Sequence, residues 1–166
     1  MSVSVIDATS TGSTGTVMVS GNMPAFSVYQ SSTQTLSTTT DTLIQFQTKE
    51  FDTAGAFNNT GSAVTLNGLS VPAYAFCPPV AGYYQFNANI RVGSTSTFIR
   101  PEIWKNGSKY KDFTEASVQA ASSAACIVYC NGTGDYVQFY ALFGAGQATS
   151  GGSNDCWFQG ILVRAA

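Results

Sequence analysis

Through most of the chain, hydrophobic residues recur at every second position in short runs, and turn residues separate the runs. The plainest run covers residues 83–92. Tyr84, Phe86, Ala88, Ile90 and Val92 share one face, and Tyr83, Gln85, Asn87, Asn89 and Arg91 share the other. A period of two with one apolar and one mostly polar face predicts a half-buried antiparallel strand. Shorter runs of the same kind predict strands over 25–30, 42–47, 98–105, 124–130, 136–143 and 156–164. Asn67-Gly68 predicts a hairpin within 63–76, and Asn106-Gly107 turns the chain after 98–105. Pro101 cannot donate to a ladder, which predicts an edge or a bulge for its strand. Residues 51–61 are less regular and end in the turn signal Asn58-Asn59-Thr60-Gly61. Residues 114–125 are read as a loop or short strand, although Glu115, Ala116, Gln119, Ala120 and Ala121 would tolerate a helix. Glycine-rich 144–154 is read as a mobile loop. Eight to ten short strands without a convincing helix define an all-β class, an antiparallel two-sheet sandwich of the jelly-roll kind.

The first 23 residues break this pattern. Thr9-Ser10-Thr11-Gly12-Ser13-Thr14-Gly15 cannot bury enough surface to fold alone. Residues 1–23 are therefore read as an N-terminal anchoring arm and 24–166 as the folded domain. An ordered arm would be held either by its own domain or by a neighbouring subunit. Met1-Ser2-Val3-Ser4-Val5-Ile6-Asp7 lacks the basic start and apolar stretch of a secretory signal. This is expected of a chain made without being secreted as such, or of one whose leader is missing.

Composition narrows the function classes. Charged residues are 10% of the 166, against about a quarter in an ordinary domain, and aromatics reach 13%. Such a surface suits a packed multimer, or an exposed virion or extracellular module, better than a cytosolic enzyme. Seven basic residues are scattered and net charge is -2, so no footprint for nucleic acid is present. No apolar run approaches membrane-spanning length, so no membrane insertion is expected.

Candidate chemistry is sparse. There is no histidine, which removes Ser-His-Asp and Cys-His systems and His-rich metal sites. Glu50 with Asp52, and Asp112 with Glu115, are the close carboxylate pairs a glycosidase would need, but acids on turns usually serve as caps or solvated loop ends. No enzymatic activity is expected. Cys77, Cys126, Cys130 and Cys156 match neither a zinc ribbon nor a redox pair. Buried free thiols are the expectation, with one or two disulfides as the alternative. Cys126 and Cys130 would face one side of a strand, ~13 Å apart, and should not pair with each other. Asn58-Asn59-Thr60, Asn106-Gly107-Ser108 and Asn131-Gly132-Thr133 fit the glycosylation pattern, but two of them are Asn-Gly turns required by the fold.

Several segments also follow a familiar order. Ala25-Phe26 begins the first strand, Ala81-Gly82-Tyr83-Tyr84-Gln85-Phe86 opens the best strand, and Asn106-Gly107 makes a turn. Gly134-Asp135-Tyr136-Val137-Gln138-Phe139 then leads a later strand, and Phe158-Gln159-Gly160-Ile161-Leu162 closes the chain. Together they resemble the globular head of complement one-q and its relatives in the tumour-necrosis-factor superfamily, over about residues 24–165. Alanine replaces that family's proline at Ala81. Residues 63–75 look like an insertion, and Phe51 and Phe57 stand roughly where the family tends to have Asn and Tyr. The resemblance implies a ten-stranded jelly-roll protomer in a tight homotrimer, with Gly82, Asn106, Gly107, Gly134, Asp135 and Gly160 as structural turn and packing positions.

Tyr83, Tyr129, Tyr136, Tyr140 and Trp157 lie on faces opposite the expected core, and some of them are expected to line the trimer contact. The competing role is to cover the outer sheet or fill a second core layer. Calcium at the trimer apex of some family members makes Asp112, Glu115 and Asp155 candidate ligands, although no Asp-rich loop is visible. Otherwise no cofactor is expected. Complement-type jelly rolls recur in bacteriophage structural proteins and on bacterial spores. The leading expectation is a phage virion protein, localised to the virion. It would be a trimeric surface knob fixed by its arm to other virion proteins of capsid or tail, serving decoration, a fibre tip or host adhesion. Its outward partner would be a host-surface glycan or protein. The alternative is a secreted or spore-surface trimer that binds glycans or proteins.

Overall fold

A computed structural model describes residues 23–166, without the side chains of 95–97 and 116–119. The expected arm, apart from Met23, lies outside the described residues. Twelve strands follow in order: β1 (Ala25–Tyr29), β2 (Thr35–Leu36), β3 (Thr42–Leu43), β4 (Thr48–Asp52), β5 (Val64–Leu66), β6 (Leu69–Val71), β7 (Gly82–Lys105), β8 (Ser108–Asp112), β9 (Ala116–Cys130), β10 (Val137–Phe143), β11 (Gln147–Ala148) and β12 (Trp157–Ala165). All pairings are antiparallel, and the architecture is a two-layer jelly-roll sandwich. The first layer runs β4-β1-β12-β7-β9, using residues 82–91 of β7. The second runs β3-β10-β7-β8, using residues 99–105. One strand thus passes through both layers.

The alternating residues meet between the layers. Phe26, Phe46, Phe57, Phe76, Phe86, Phe139 and Phe158 are all essentially inaccessible to solvent. Their rings stack and tilt against one another, with Phe26 and Phe76 centroids 4.4 Å apart and Phe86 and Phe158 5.6 Å apart. Truncating any one to alanine would cost about 3–5 kcal/mol, so this aromatic cluster dominates stability. Gly160 lets β12 run over it. A Cβ there would lie 2.5 Å from Phe26 Cε1 and 2.9 Å from Phe86 Cδ1. Gly82 is equally constrained, because a Cβ would collide with the Arg164 carbonyl and Leu162.

Several local expectations are corrected. The strands expected at 83–92 and 98–105 are one 24-residue strand. Residues 116–130 form one long strand, so the loop reading of 114–125 fails. Its small side chains carry no alternation, and pairing with β7 decides their conformation. Pro101 is neither on an edge nor in a bulge. It pairs with Ala141, and its other side meets the break between β8 and β9, where its carbonyl accepts from Phe113 N. A missing N–H costs little there. The 42–47 strand shortens to two residues. Ile44 and Phe46 still alternate into the core, while Gln45 N donates to the Gln34 side chain instead of a strand. Loop 144–154 is held by main-chain bonds from Thr149, Ser150 and Gly152 to Gln34, Arg91 and Gln30, and β11 pairs with β2.

The apparent insertion forms the β5–β6 hairpin, turning at Asn67 and Gly68 with φ of 51° and 77°, the left-handed pair a two-residue turn needs. A small cluster of Val71, Ala75 and Cys77 packs beneath it. Asn58, 1% exposed, ties it down. Its Nδ2 donates to the carbonyls of Ser62, Val71 and Pro72 at 2.8, 3.0 and 2.9 Å.

Candidate self-association surface

The outer face of the first layer follows from strand register. Tyr83 pairs with Tyr129, Gln85 with Ile127 and Ile161, and Ile161 with Ala25. Side chains in such rows stand side by side and point away from the core. Tyr83, Tyr129, Ile127, Ile161 and Val163 are 45%, 40%, 51%, 47% and 57% exposed, a group of uncovered apolar side chains around Gln85 on a weakly charged protein. The Tyr83 and Tyr129 rings lie 5.4 Å apart, with Lys105 Nζ 5.8 Å from the Tyr129 centroid.

The far end of the same face is polar. Ser27 donates to Glu50 at 2.6 Å and accepts from Gln159 at 3.1 Å, and Asn89 accepts from Ser123 at 2.8 Å. Arg91 and Asp155 form an ion pair at 3.2 Å. Between the two zones lies a hollow of about 170 Å³. Its floor is the Phe26 and Gly160 positions, and its rim is Ala25, Ile161, Phe51, Asn87 and Gln159.

The five expected contact residues divide. Tyr83, Tyr129 and the half-buried Trp157, between its strand partners Tyr29 and Asn89, share this face. Tyr140 lies on the opposite, outer face of the second layer, stacked on Trp104 at 4.2 Å. Tyr136 precedes β10 and packs against the hairpin cluster. Ile127, Ile161 and Val163 were not singled out from the sequence. The alternation of 157–163 opposite Phe158, Gly160 and Leu162 was the available signal.

Polar groups elsewhere are engaged in holding the fold. Glu102 is fully buried; it accepts from Trp104 Nε1 at 2.8 Å and Lys109 Nζ at 2.7 Å, with Arg100 Nε at 3.4 Å. Lys109 also reaches Asp41 and Asp112. Burial opposes its charge, but hydrogen bonds to Glu102 and Asp41 prevail and raise its pKa. This network staples edge strand β8 to the second layer.

Asp135 fastens the 131–135 turn to the Asn106-Gly107 turn. It accepts from Asn106 Nδ2 at 2.7 Å and from Asn131 N at 3.0 Å, and pairs with Lys105 at 2.8 Å. Burial works against its charge, but these partners outweigh it and hold its carboxyl below the ordinary range. Asn106 and Gly107 have φ of 52° and 75°, and Gly134 has φ of 148°.

Catalytic and metal chemistry find no assembled site among the described residues. Asp52 caps the turn after β4 by accepting from the main-chain N of Ala56 and Phe57, both at 3.0 Å, and Glu50 is bound to Ser27. No group of three Cys, Asp or Glu converges among the described residues, and the calcium candidates Asp112 and Asp155 are ion-paired to Lys109 and Arg91. All four cysteines are free. Burial raises each thiol, Cys126 to about 11 and Cys130 to about 12, while Cys77 and Cys156 move in the same direction. Asn58 is too buried to accept a glycan.

No family model matches the chain, and no curated protein matches it in sequence. Solved structures match it in fold. The Eiger TNF of S. frugiperda superposes with a TM-score of 0.58 at 10% identity, over 87% of this chain and 95% of that one. The globular domain of zebrafish complement 1qA gives 0.55 at 18%, over 87% and 99%. The PRD1 vertex protein P5 gives 0.51 at 14%, over 84% and 95%. The chain therefore has the jelly-roll fold of the tumour-necrosis-factor and complement one-q globular domains.

Proposed function

We propose that this chain is a non-enzymatic structural protein of a phage virion. It forms a homotrimeric surface knob, and residues 1–23 fix it to capsid or tail. The observation that carries the reading is the uncovered apolar face of Tyr83, Tyr129, Ile127, Ile161 and Val163 on a chain with 10% charged residues. A face of this kind calls for a partner, and self-association supplies one. The fold shared with the PRD1 vertex protein P5 supports a place on a virion. The polar composition of the arm supports attachment to a neighbouring virion protein.

Light scattering on the purified chain at micromolar concentration tests the first part. A trimer is expected, converted to monomer when Ile127 and Ile161 are both changed to Asp. A wild-type monomer with native circular dichroism would sink the claim. Removing residues 1–20 should abolish incorporation into particles while leaving the trimer folded. Retained incorporation would end the anchoring role. A second reading draws support from the complement 1qA fold: a secreted or spore-surface trimer that binds glycans or proteins through its end loops. Glycan-array binding by the isolated trimer would favour it.

A further inference from the structure

In a cyclic trimer residues on the three-fold axis meet their own copies, but away from the axis a rotation of 120° joins two different surfaces of the chain. If the outer face of the first layer is one of them, as the trimer reading on which this inference rests requires, its off-axis part needs a second, complementary surface. Edge strand β8 carries the best candidate. Its register against β7 slips between Ile103 and Trp104, which pair with Lys111 and Lys109, so Tyr110 is the extra residue of a β-bulge. Bulges at sheet edges re-aim side chains. Here the result is an aromatic 43% exposed on a strand whose five residues are all exposed. Neither core cluster includes it.

The first layer's outer face has a vacancy of matching chemistry. The hollow over Gly160 is walled by Ala25, Ile161 and Phe51, which suit an aromatic body. Two amides stand at its rim. Gln159 donates through Nε2 to Ser27, and Asn87 accepts through Oδ1 from Gln85, so Gln159 Oε1 and Asn87 Nδ2 make no hydrogen bond among the described residues. One acceptor and one donor are what a phenol hydroxyl needs. Charge is complementary as well. Lys111 lies 5.5 Å above the Tyr110 ring, and exposed Glu50 adjoins Phe51 beside the hollow. Tyr83 and Tyr129, the other exposed tyrosines, share the hollow's own face and so belong to the same side of a head-to-tail contact.

We propose that Tyr110 of each copy seats in the hollow over Gly160 of the next, with Lys111 against Glu50, and that three such contacts close the ring. The test joins the two sites covalently. In a Cys126→Ser background, Tyr110→Cys and Phe51→Cys are introduced together and oxidised, and chains are sized on a non-reducing denaturing gel. The double variant should run as a covalent trimer, and an equimolar mixture of the two single variants as covalent dimers. Independently, Tyr110→Ala and the hollow-filling Ala25→Leu should each raise the concentration of half-dissociation at least tenfold, with Tyr110→Phe milder. A wild-type chain that is trimeric by light scattering, with a double variant that is trimeric but gives no crosslink, overturns the seating alone. A monomeric wild type overturns both the seating and the trimer.

Discussion

Asn58 offers the most direct test of how this fold is held. Its amide has two protons, placed among three carbonyls, and its Oδ1 accepts from Thr60 N at 2.9 Å and Thr60 Oγ1 at 2.8 Å. Counting protons rather than contacts, Asn58→Ala strands two amide-bonded sites and one main-chain N–H. The Thr60 hydroxyl is not counted, because it can turn to the Ser62 carbonyl at 3.0 Å. Three net hydrogen bonds at about 1 kcal/mol each give about 3 kcal/mol, or a fall in Tm of roughly 6–12 °C. Asn58→Asp has the same shape but aims a carboxylate with no donor at three carbonyl oxygens. It should therefore lose more, about 4–5 kcal/mol, despite being the smaller chemical change. Urea unfolding followed by Trp104 and Trp157 fluorescence, at one fixed protein concentration, measures both variants. Protease cleavage within the 64–71 hairpin should rise in parallel. An Asn58→Asp protein as stable as wild type, or more stable than Asn58→Ala, would refute the idea that this amide anchors the hairpin.

Three further outcomes are expected. Gly160→Ala places a methyl against Phe26 and Phe86 and should cost about 3 kcal/mol in thermal unfolding, partly recovered by Phe26→Leu; full stability would mean that the rings move aside freely. Asp135 has a folded pKa below its unfolded one, so its stabilisation is complete above the unfolded value and is lost as pH falls through the folded value. The stability gap between wild type and Asp135→Asn should accordingly be full near pH 7 and shrink as pH falls below the unfolded carboxyl value of about 3.9; a constant gap would deny the carboxylate any part in it. With Cys126 raised to about 11 and Cys130 to about 12, thiol reagents at pH 7.5 should label the folded chain slowly, half-buried Cys126 first and the rest only in denaturant. Four fast equivalents in native buffer would contradict that burial.

Much of the sandwich was legible because burial writes a period of two into strands such as 83–92 and 157–163. The same logic misled at 42–47. Ile44 and Phe46 alternate because they enter the core, yet after the bond from Ile44 N to Phe139 O the main chain leaves the ladder, and the Gln34 amide binds Leu43 O and Gln45 N instead. Conversely, 116–125 is strand without looking like one, since pairing with β7 fixes an alanine- and serine-rich segment that has no large side chains to advertise a face. The candidate surface was half legible. Aromatics at 83, 129 and 157 pointed to it, and the aliphatic Ile127, Ile161 and Val163 complete it. Tyr136 and Tyr140 share the alternation but belong elsewhere, because residue parity shows that a side chain faces outward without showing which layer it faces out from. The hollow and the Tyr110 bulge depend on register between distant strands, which no local pattern carries.

The pairing of β1 with β12 also orders events in time. Ser27 meets Gln159 across 132 positions of chain, and β1 is flanked on one side by β4 and on the other only by that late strand. A growing chain that has just produced Ala25–Tyr29 must leave one edge of it open until Trp157–Ala165 has been made. The first layer, and with it the rim of the hollow formed by Ala25, Gln159 and Ile161, comes into being only after β12 has been made. Nascent chains crowded on one message therefore present no finished first-layer surface to one another before β12 is in place.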